Sequence, residues 1–360
     1  MRKFFPLLLL LSLFTKSVSA RQLQPGFDGN EFRKMLAISA YQVDTPWTKV
    51  WMPYPVGYTL SCRSAVCGLD NRWDLWKSND SVDVISIRGT TGTANSWLEN
   101  FYAGMIPAKG TLKLADGKNF DYQLAADSNA FVHIGWTIGL ASIAPEIVSR
   151  INEEYKSGLR NFIIMGHSQG GAIGFLLYSY LYYQKGKLIP NDITVKVYGS
   201  GVPKPGNIFF SYDFDFISRG GWALRVVNAV DWVPEVPFSI QTLDDLSAGS
   251  PFQNAGQLKG FAKIYAKHLV RKMNRSARHA RKQFSKILAK KSGKFVRRRI
   301  DGFPKQEYVP SLSYATCGVP IILQPDKHYL ELYPNDNKSI FLHHGYGPYL
   351  YLLNLYYPVK

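Results

Sequence analysis

The pentapeptide Gly166-His167-Ser168-Gln169-Gly170 constrains this chain more than any other feature, because its flanks agree with it. The continuous apolar run Phe162-Ile163-Ile164-Met165 precedes it, and Gly171-Ala172 opens a segment rich in Leu, Ile, Phe and Tyr that runs to Tyr183. A short apolar run bounded by glycine predicts a strand covered on both faces, and the segment Ala172–Tyr183 predicts a helix. A serine between the two sits on a sharp strand-to-helix turn, where flanking glycines let the neighbouring chain pass without Cβ clashes. Such a turn lifts the hydroxyl clear of the backbone and aims the first N–H groups of the helix at negative charge developing beside it. Ser168 is therefore the candidate nucleophile.

The rest of the chain keeps the same rhythm of strand and helix, which predicts an α/β fold. Val82-Asp83-Val84-Ile85-Ser86-Ile87 alternates as a β-branched strand, and Val195–Tyr198 and Leu224–Asn228 are further strand candidates. Ile143, Ile147 and Ile151 recur every fourth position within a helix expected over about Ile138 to Tyr155. The 360 residues are 46% hydrophobic, ample for a buried core, so a disordered or collagen-like chain is excluded.

A serine hydroxyl attacks well only when a histidine takes its proton, and that histidine needs an orienting carboxylate. On such a turn the expected chain order is Ser, then acid, then His. Asp231 follows the strand candidate Leu224–Asn228 and precedes the loop Trp232-Val233-Pro234-Glu235-Val236-Pro237, whose prolines stiffen it. Glu235 is the alternative acid. The pair His343-His344 follows Ile340-Phe341-Leu342, and because adjacent side chains diverge, only one of the two serves as base. His167 lies inside the turn and is expected to pack or hydrogen-bond. His133 precedes the acid, His268 and His279 lie in a basic segment, and His328 is a weaker alternative. No H-E-x-x-H motif or Cys/His ligand spacing points to a metal, and no cofactor is expected.

With these residues in view, the chain resembles the class 3 (fungal-type) lipases of the α/β-hydrolase superfamily. The similarity rests on Ile85-Ser86-Ile87-Arg88-Gly89-Thr90, on Val132-His133-Ile134-Gly135-Trp136, and on Ile163 to Gly171. It continues through Tyr198-Gly199-Ser200-Gly201-Val202-Pro203 with Gly206-Asn207, and through Arg225 to Pro237. At the C-terminus, Tyr349 five residues after His344 resembles the family's histidine block and favours His344 over His343. The resemblance implies an α/β-hydrolase fold, with a mostly parallel central sheet flanked by helices. It implies Ser168 as nucleophile, Asp231 as orienting acid and His344 as general base. It further implies the backbone N–H groups of Thr90 and Gln169 as an oxyanion hole, with the Thr90 hydroxyl as an added donor. The segment Thr91 to Ile106, with Trp97, Leu98 and Phe101, resembles a lid over an acyl site, the alternative being a surface helix packed on the sheet. Gln169 departs from the family's usual leucine, and the interval from Asp231 to His344 is longer than usual. The implied activity is hydrolysis of the carboxylic esters of lipids (acylglycerols or phospholipids). A short-chain or polymer esterase is the alternative, and a non-catalytic surface-binding protein a third reading.

Composition explains the long interval. The formal charge of +17 arises from 43 Lys+Arg against 26 Asp+Glu, but 16 of the basic residues and no acidic one lie between Lys259 and Arg299. The remaining 27 basic residues nearly balance the acids, so the chain is a near-neutral globule with one basic segment. Leu258, Phe261, Tyr265, Leu269, Met273, Ala277, Ala280, Phe284 and Leu288 step by three or four along it, which predicts a basic amphipathic helix, or two, stopped at Ser292-Gly293. Residues 250–300 are thus expected to be a helical insertion before the C-terminal histidine, within a single domain over 21–360. An apolar stripe edged with Lys and Arg suits an anionic membrane or lipid interface through residues 258–299, or packing on the catalytic body. Nucleic-acid binding is not expected, since the segment has few aromatics and no reader motif. Arg2-Lys3, the apolar run Phe4 to Phe14 and Ser17-Val18-Ser19-Ala20 predict a secretory leader over 1–20 and an exported chain. Three cysteines, Cys62, Cys67 and Cys317, leave disulfide pairing open.

Overall fold

The computed structural model describes residues 22–42, 51–247, 260–334 and 339–359, with backbone alone at 116, 260, 262, 263 and 266. The expected leader and Leu258 lie outside the described residues. In chain order, helix α1 (Gly29–Ala40) precedes strands β1 (Tyr58–Arg63), β2 (Trp73–Ser78) and β3 (Val82–Ile87) and helix α2 (Ala94–Phe101). Short strands β4 (Met105–Pro107), β5 (Lys109–Lys113), β6 (Asn119–Gln123) and β7 (Phe131–His133) lead to the long helix α3 (Ile134–Lys156). Strand β8 (Asn161–His167), helix α4 (Gln169–Gln184), strands β9 (Thr194–Ser200) and β10 (Gly206–Asn207), helix α5 (Ile208–Ile217) and strand β11 (Ala223–Asn228) follow. Helices α6 (Gly260–Ser285) and α7 (Ser292–Arg299), strands β12 (Tyr314–Ala315) and β13 (Val319–Leu323), and helices α8 (Lys327–Leu332) and α9 (Tyr346–Tyr356) complete the chain.

Seven strands form the main sheet in the order β1-β2-β3-β8-β9-β11-β13. The five from β3 to β13 run parallel, and the β1–β2 hairpin adds an antiparallel edge. Helices cover both faces, and the alternation of side chains along each strand sorts them between two cores rather than between core and water. Ile85, Ile87, Phe162, Ile164 and Val197 pack under α3 and α4. Val82, Val84, Ile163, Met165 and Val226 pack under α1 and α9. The polar members of β3 are therefore buried too. Asp83 accepts a hydrogen bond from the Ser78 N–H at 3.2 Å, and burial pushes its carboxyl up to about 6. On the opposite face, Lys196 of β9 is buried and donates to Glu31 of α1 at 2.5 Å and to the Gln24 carbonyl at 3.0 Å. A buried cation is tolerable only with such a partner, so the pair fixes α1 on the sheet. Pro320 in β13 is compatible with the strand because β13 is an edge.

The basic segment is one helical run: α6 continues through a π-helical turn, Lys286–Lys291, into α7. The expected stop at Ser292-Gly293 is not there. Gly293 is buried, and a Cβ on it would lie 2.5 Å from the Tyr308 hydroxyl, so the glycine serves close packing instead of termination. The apolar stripe divides in two. Phe261, Tyr265, Leu269 and Met273 are exposed, whereas Ala289 and Val296 are buried and Val296 joins the main core. Among the described residues no helix is long and apolar enough to cross a membrane. Cys62, Cys67 and Cys317 are free thiols, and Cys317 is buried.

Candidate active site

Because β3, β8 and β11 run parallel, the residues that follow them gather at one end of the sheet, where open α/β sheets place their ligand crevice. Ser168 stands between β8 and α4 with φ 59° and ψ −131°, a left-handed conformation costly for a non-glycine residue and held here by its surroundings. Its N–H donates to the Ser200 carbonyl at 2.8 Å. The glycines on either side are sterically required: a Cβ on Gly166 would lie 2.2 Å from the Gly170 carbonyl oxygen, and one on Gly170 2.3 Å from that of Ile87.

Asp231 is buried just past β11, where its own N–H donates to the Asn228 carbonyl at 3.0 Å. Its Oδ1 accepts from the Val233 N–H at 3.0 Å. Its Oδ2 sits 2.7 Å from His344 Nδ1 and accepts from the Tyr349 hydroxyl at 2.8 Å. His344 closes the short turn Leu342–His344, and its Nε2 is buried with no hydrogen-bond partner. Gly201, at φ +57°, lets this pair approach, since a Cβ there would come within 2.7 Å of the His344 ring. Glu235, the alternative acid, is exposed.

His343, the alternative base, faces the other way. Its Nδ1 lies 2.8 Å from the Tyr329 hydroxyl, and Asn228 donates to both that hydroxyl and the His343 carbonyl. Burial lowers its pKa, partly opposed by Asp231. His167 packs, as expected, against the candidate base at a ring separation of 4.4 Å, with Nδ1 2.9 Å from the Ser200 hydroxyl. Burial, and then the neighbouring His344, holds His167 well below the usual histidine range, so it stacks as a neutral ring. His133 caps α3 by accepting from the Trp136 N–H, and burial lowers its pKa to about 3. His328 is exposed beside Glu331.

Ser168, Gln169, Thr90 and His344 line one cavity of about 900 Å³. No Asp or Glu contributes to its wall, which is largely aromatic and aliphatic. An arc of rings runs from Trp97 and Phe101 on α2 through Phe341 to Trp232, with centroid separations between 5.3 and 5.9 Å. Trp97 and Phe101 thus face the cavity, whereas Leu98, the third of the lid residues expected from sequence, packs on the main core. Leu288 of the basic segment also reaches the cavity wall.

Thr90 is oriented by residues that sequence reasoning did not single out. The Trp136 indole N–H, a donor only, takes Asn100 Oδ1 at 2.9 Å. Asn100 Nδ2 therefore faces Thr90 and donates to its Oγ1 at 2.9 Å, which leaves the Thr90 hydroxyl hydrogen free to donate elsewhere. Tyr349 was legible only as part of the histidine block, and its bond to Asp231 emerges from the fold.

Residues 84–241 match the family described as lipase (class 3), a stretch that contains Ser168 and Asp231 and ends before His344. Among solved structures, the chain is similar to the triacylglyceride lipase of Rhizomucor miehei at 18% identity, over 58% of this chain and 74% of that one, with a TM-score of 0.43. Lipase II from Rhizopus niveus is 21% identical over the same shares, with a TM-score of 0.43. The lipase of Rhizopus microsporus var. chinensis is 19% identical over 62% of this chain and 80% of its own, with a TM-score of 0.42. No curated protein sequence matches the chain. The likeness to the class 3 lipases thus spans residues 84–241, somewhat under half of the chain, and the chain is a carboxylic ester hydrolase.

Proposed function

We propose that this chain is an exported hydrolase of lipid carboxylic esters that works through Ser168, Asp231 and His344 and an acyl-enzyme. The observation that carries the reading is His344: its Nδ1 is tied to buried Asp231, its Nε2 is buried without a partner, and the residue lines the same cavity as Ser168. Ser168 Oγ attacks the ester carbonyl carbon and passes its proton to His344 Nε2. The N–H groups of Thr90 and Gln169, with the free Thr90 hydroxyl hydrogen, receive the negative oxygen; one donor of this kind contributes about 3–4 kcal/mol to the transition state. Collapse expels the alcohol, which takes the proton from His344. Water then attacks the acyl group by the same route and restores Ser168. Asp231 accepts from His344 Nδ1 and so keeps the ring's proton on that nitrogen.

An apolar cavity wall without carboxylates suits an acyl chain, and Trp97 and Phe101 are the candidate lid contacts over it. Triacylglycerol and the sn-1 ester of a phospholipid are the substrate classes proposed. Hydrolysis of emulsified long-chain triacylglycerol, phospholipid vesicles and soluble p-nitrophenyl acetate or butyrate tests this. The expected result is a rise in rate when a lipid interface forms; a preference for the soluble short esters with no such rise would overturn it.

The basic segment is proposed to meet an anionic lipid surface. Its support is the exposed face of Phe261, Tyr265, Leu269 and Met273 among basic residues, on a helix that reaches the cavity through Leu288. Because Val296 and Ala289 are core residues, the segment cannot be deleted without breaking the fold, so charge reversal is the informative change. Lys or Arg near an anionic surface contributes about 1 kcal/mol each, so reversing Lys267, Arg271, Lys272 and Arg275 to Glu should weaken binding to phosphatidylglycerol vesicles by at least about 100-fold. Hydrolysis of soluble butyrate should hold. Unchanged vesicle binding would refute the contact.

A further inference from the structure

The residue after the candidate nucleophile is polar, yet only 2% exposed, and its side chain must be satisfied by protein. Hydrogen-bond polarity fixes how. The Thr91 N–H donates to Ser96 Oγ at 3.1 Å, which leaves the Ser96 hydrogen for Gln169 Oε1 at 3.2 Å. Gln169 therefore turns its amide nitrogen away from Ser96 Oγ, and Nε2 donates to Glu99 Oε2 at 2.8 Å. The second carboxyl oxygen, Glu99 Oε1, accepts from Asn71 Nδ2 at 3.2 Å.

Glu99 is fully buried, in space that two glycines of α3 keep open. A Cβ on Gly135 would lie 2.0 Å from the Glu99 carbonyl oxygen, and one on Gly139 2.2 Å from Glu99 Oε1. These glycines stand one helical turn apart and form a notch that receives both the backbone and the carboxyl of Glu99. Burial drives the carboxyl well above the usual glutamate range and the nearby Asp70 adds to the effect, so both favour its neutral form. A neutral acid suits the position, since a fixed negative charge beside the site would oppose an oxyanion. The next residue, Asn100, holds Thr90 in the same way. Helix α2 thus carries adjacent anchors for the two residues proposed to form the oxyanion hole.

We propose that Glu99 is a positioning residue for ester hydrolysis, fixing the Ser168–Gln169 peptide through the Gln169 side chain. The proposal rests on Gln169 N–H as an oxyanion donor.

The test compares Glu99→Ala, Glu99→Gln and Gln169→Met with wild type, using p-nitrophenyl butyrate and the matching thionoester, with thermal melts on every preparation. A purely structural role would lower the melting temperature and leave kcat of the folded fraction intact. The positioning role predicts that Glu99→Ala lowers kcat by about 10- to 100-fold with KM within about twofold, the size expected for a displaced oxyanion donor. The preference for the oxo ester over the thionoester should shrink in parallel, because sulfur is the poorer acceptor. Glu99→Gln should keep kcat within about threefold, since its amide oxygen still accepts from Gln169 and Asn71, by rotating its amide, presents Oδ1 to the new NH₂. Gln169→Met cuts the link with Glu99 in place and should reproduce the kcat loss, which keeps the proposal testable if Glu99→Ala fails to fold. Wild-type kcat and an unchanged oxo/thiono ratio in Gln169→Met or Glu99→Ala would overturn it, as would a change in KM alone. Fluorophosphonate labelling of Ser168 in the same samples reports separately on the hydrolase reading beneath it.

Discussion

Replacing Ser168 by alanine should abolish ester hydrolysis, with kcat falling by about 10⁴- to 10⁶-fold, the range seen when a serine nucleophile is removed from a triad that acts as a unit. Covalent labelling by a fluorophosphonate should vanish with it. The substitution removes only Oγ and retains the Cβ at φ 59°, so the elbow keeps its conformation and thermal stability should hold. The loss is then chemical. Residual turnover above the uncatalysed rate would come from the oxyanion donors and the cavity, which still bind the substrate. A variant that hydrolyses butyrate at the wild-type rate, or a label that persists on it, would remove Ser168 from the mechanism.

How much of this was legible beforehand depends on how local the determinants are. The elbow was legible because each of its requirements is met within a dozen residues: apolar β8, the flanking glycines, the small start of α4. Strand β3 was legible as a strand but not as a doubly covered one, since Asp83 and Ser86, three residues apart and therefore on opposite faces, break the continuous apolar run that marks such a strand. Asp231 could be proposed from its place after β11, but its bond to His344 spans 113 residues, and without the resemblance nothing in the chain selects His344 over His343. That choice is made by Tyr329 and Asn228, which hold His343 away.

Glu99 shows the opposite limit. In sequence it is an ordinary acidic residue on a short helix, and its burial is created by a notch in α3 some forty residues downstream. The available signal was Gln169 itself, because a buried amide after the nucleophile demands partners. The basic segment divides likewise: its apolar periodicity was legible, but its termination was not, since Tyr102 and Tyr308 accept Gly293 into the core and the helix runs on to Arg299.

Asp231→Asn should lower kcat by about 10⁴-fold while leaving the fold intact, the loss expected when the orienting acid of such a triad can no longer enforce the tautomer. In the native site Oδ1 accepts the Val233 N–H, and Oδ2 faces both His344 Nδ1 and the Tyr349 hydroxyl. An asparagine keeps the Val233 bond only by placing its oxygen there, which turns its NH₂ toward His344. Nδ1 must then accept instead of donate, so the neutral ring carries its proton on Nε2, the nitrogen that has to take the proton of Ser168. The catalytic loss is thus a tautomer error, not a packing defect. Raising the pH cannot correct it, because the misplaced proton belongs to the neutral imidazole. A double replacement, Asp231→Asn with Tyr349→Phe, probes the same logic. It removes the hydroxyl that shares Oδ2 and should add little to the loss, since the tautomer is already wrong. Recovery of activity in Asp231→Asn at alkaline pH, or a loss of less than about tenfold, a 1.4 kcal/mol effect, would mean that another group orients His344.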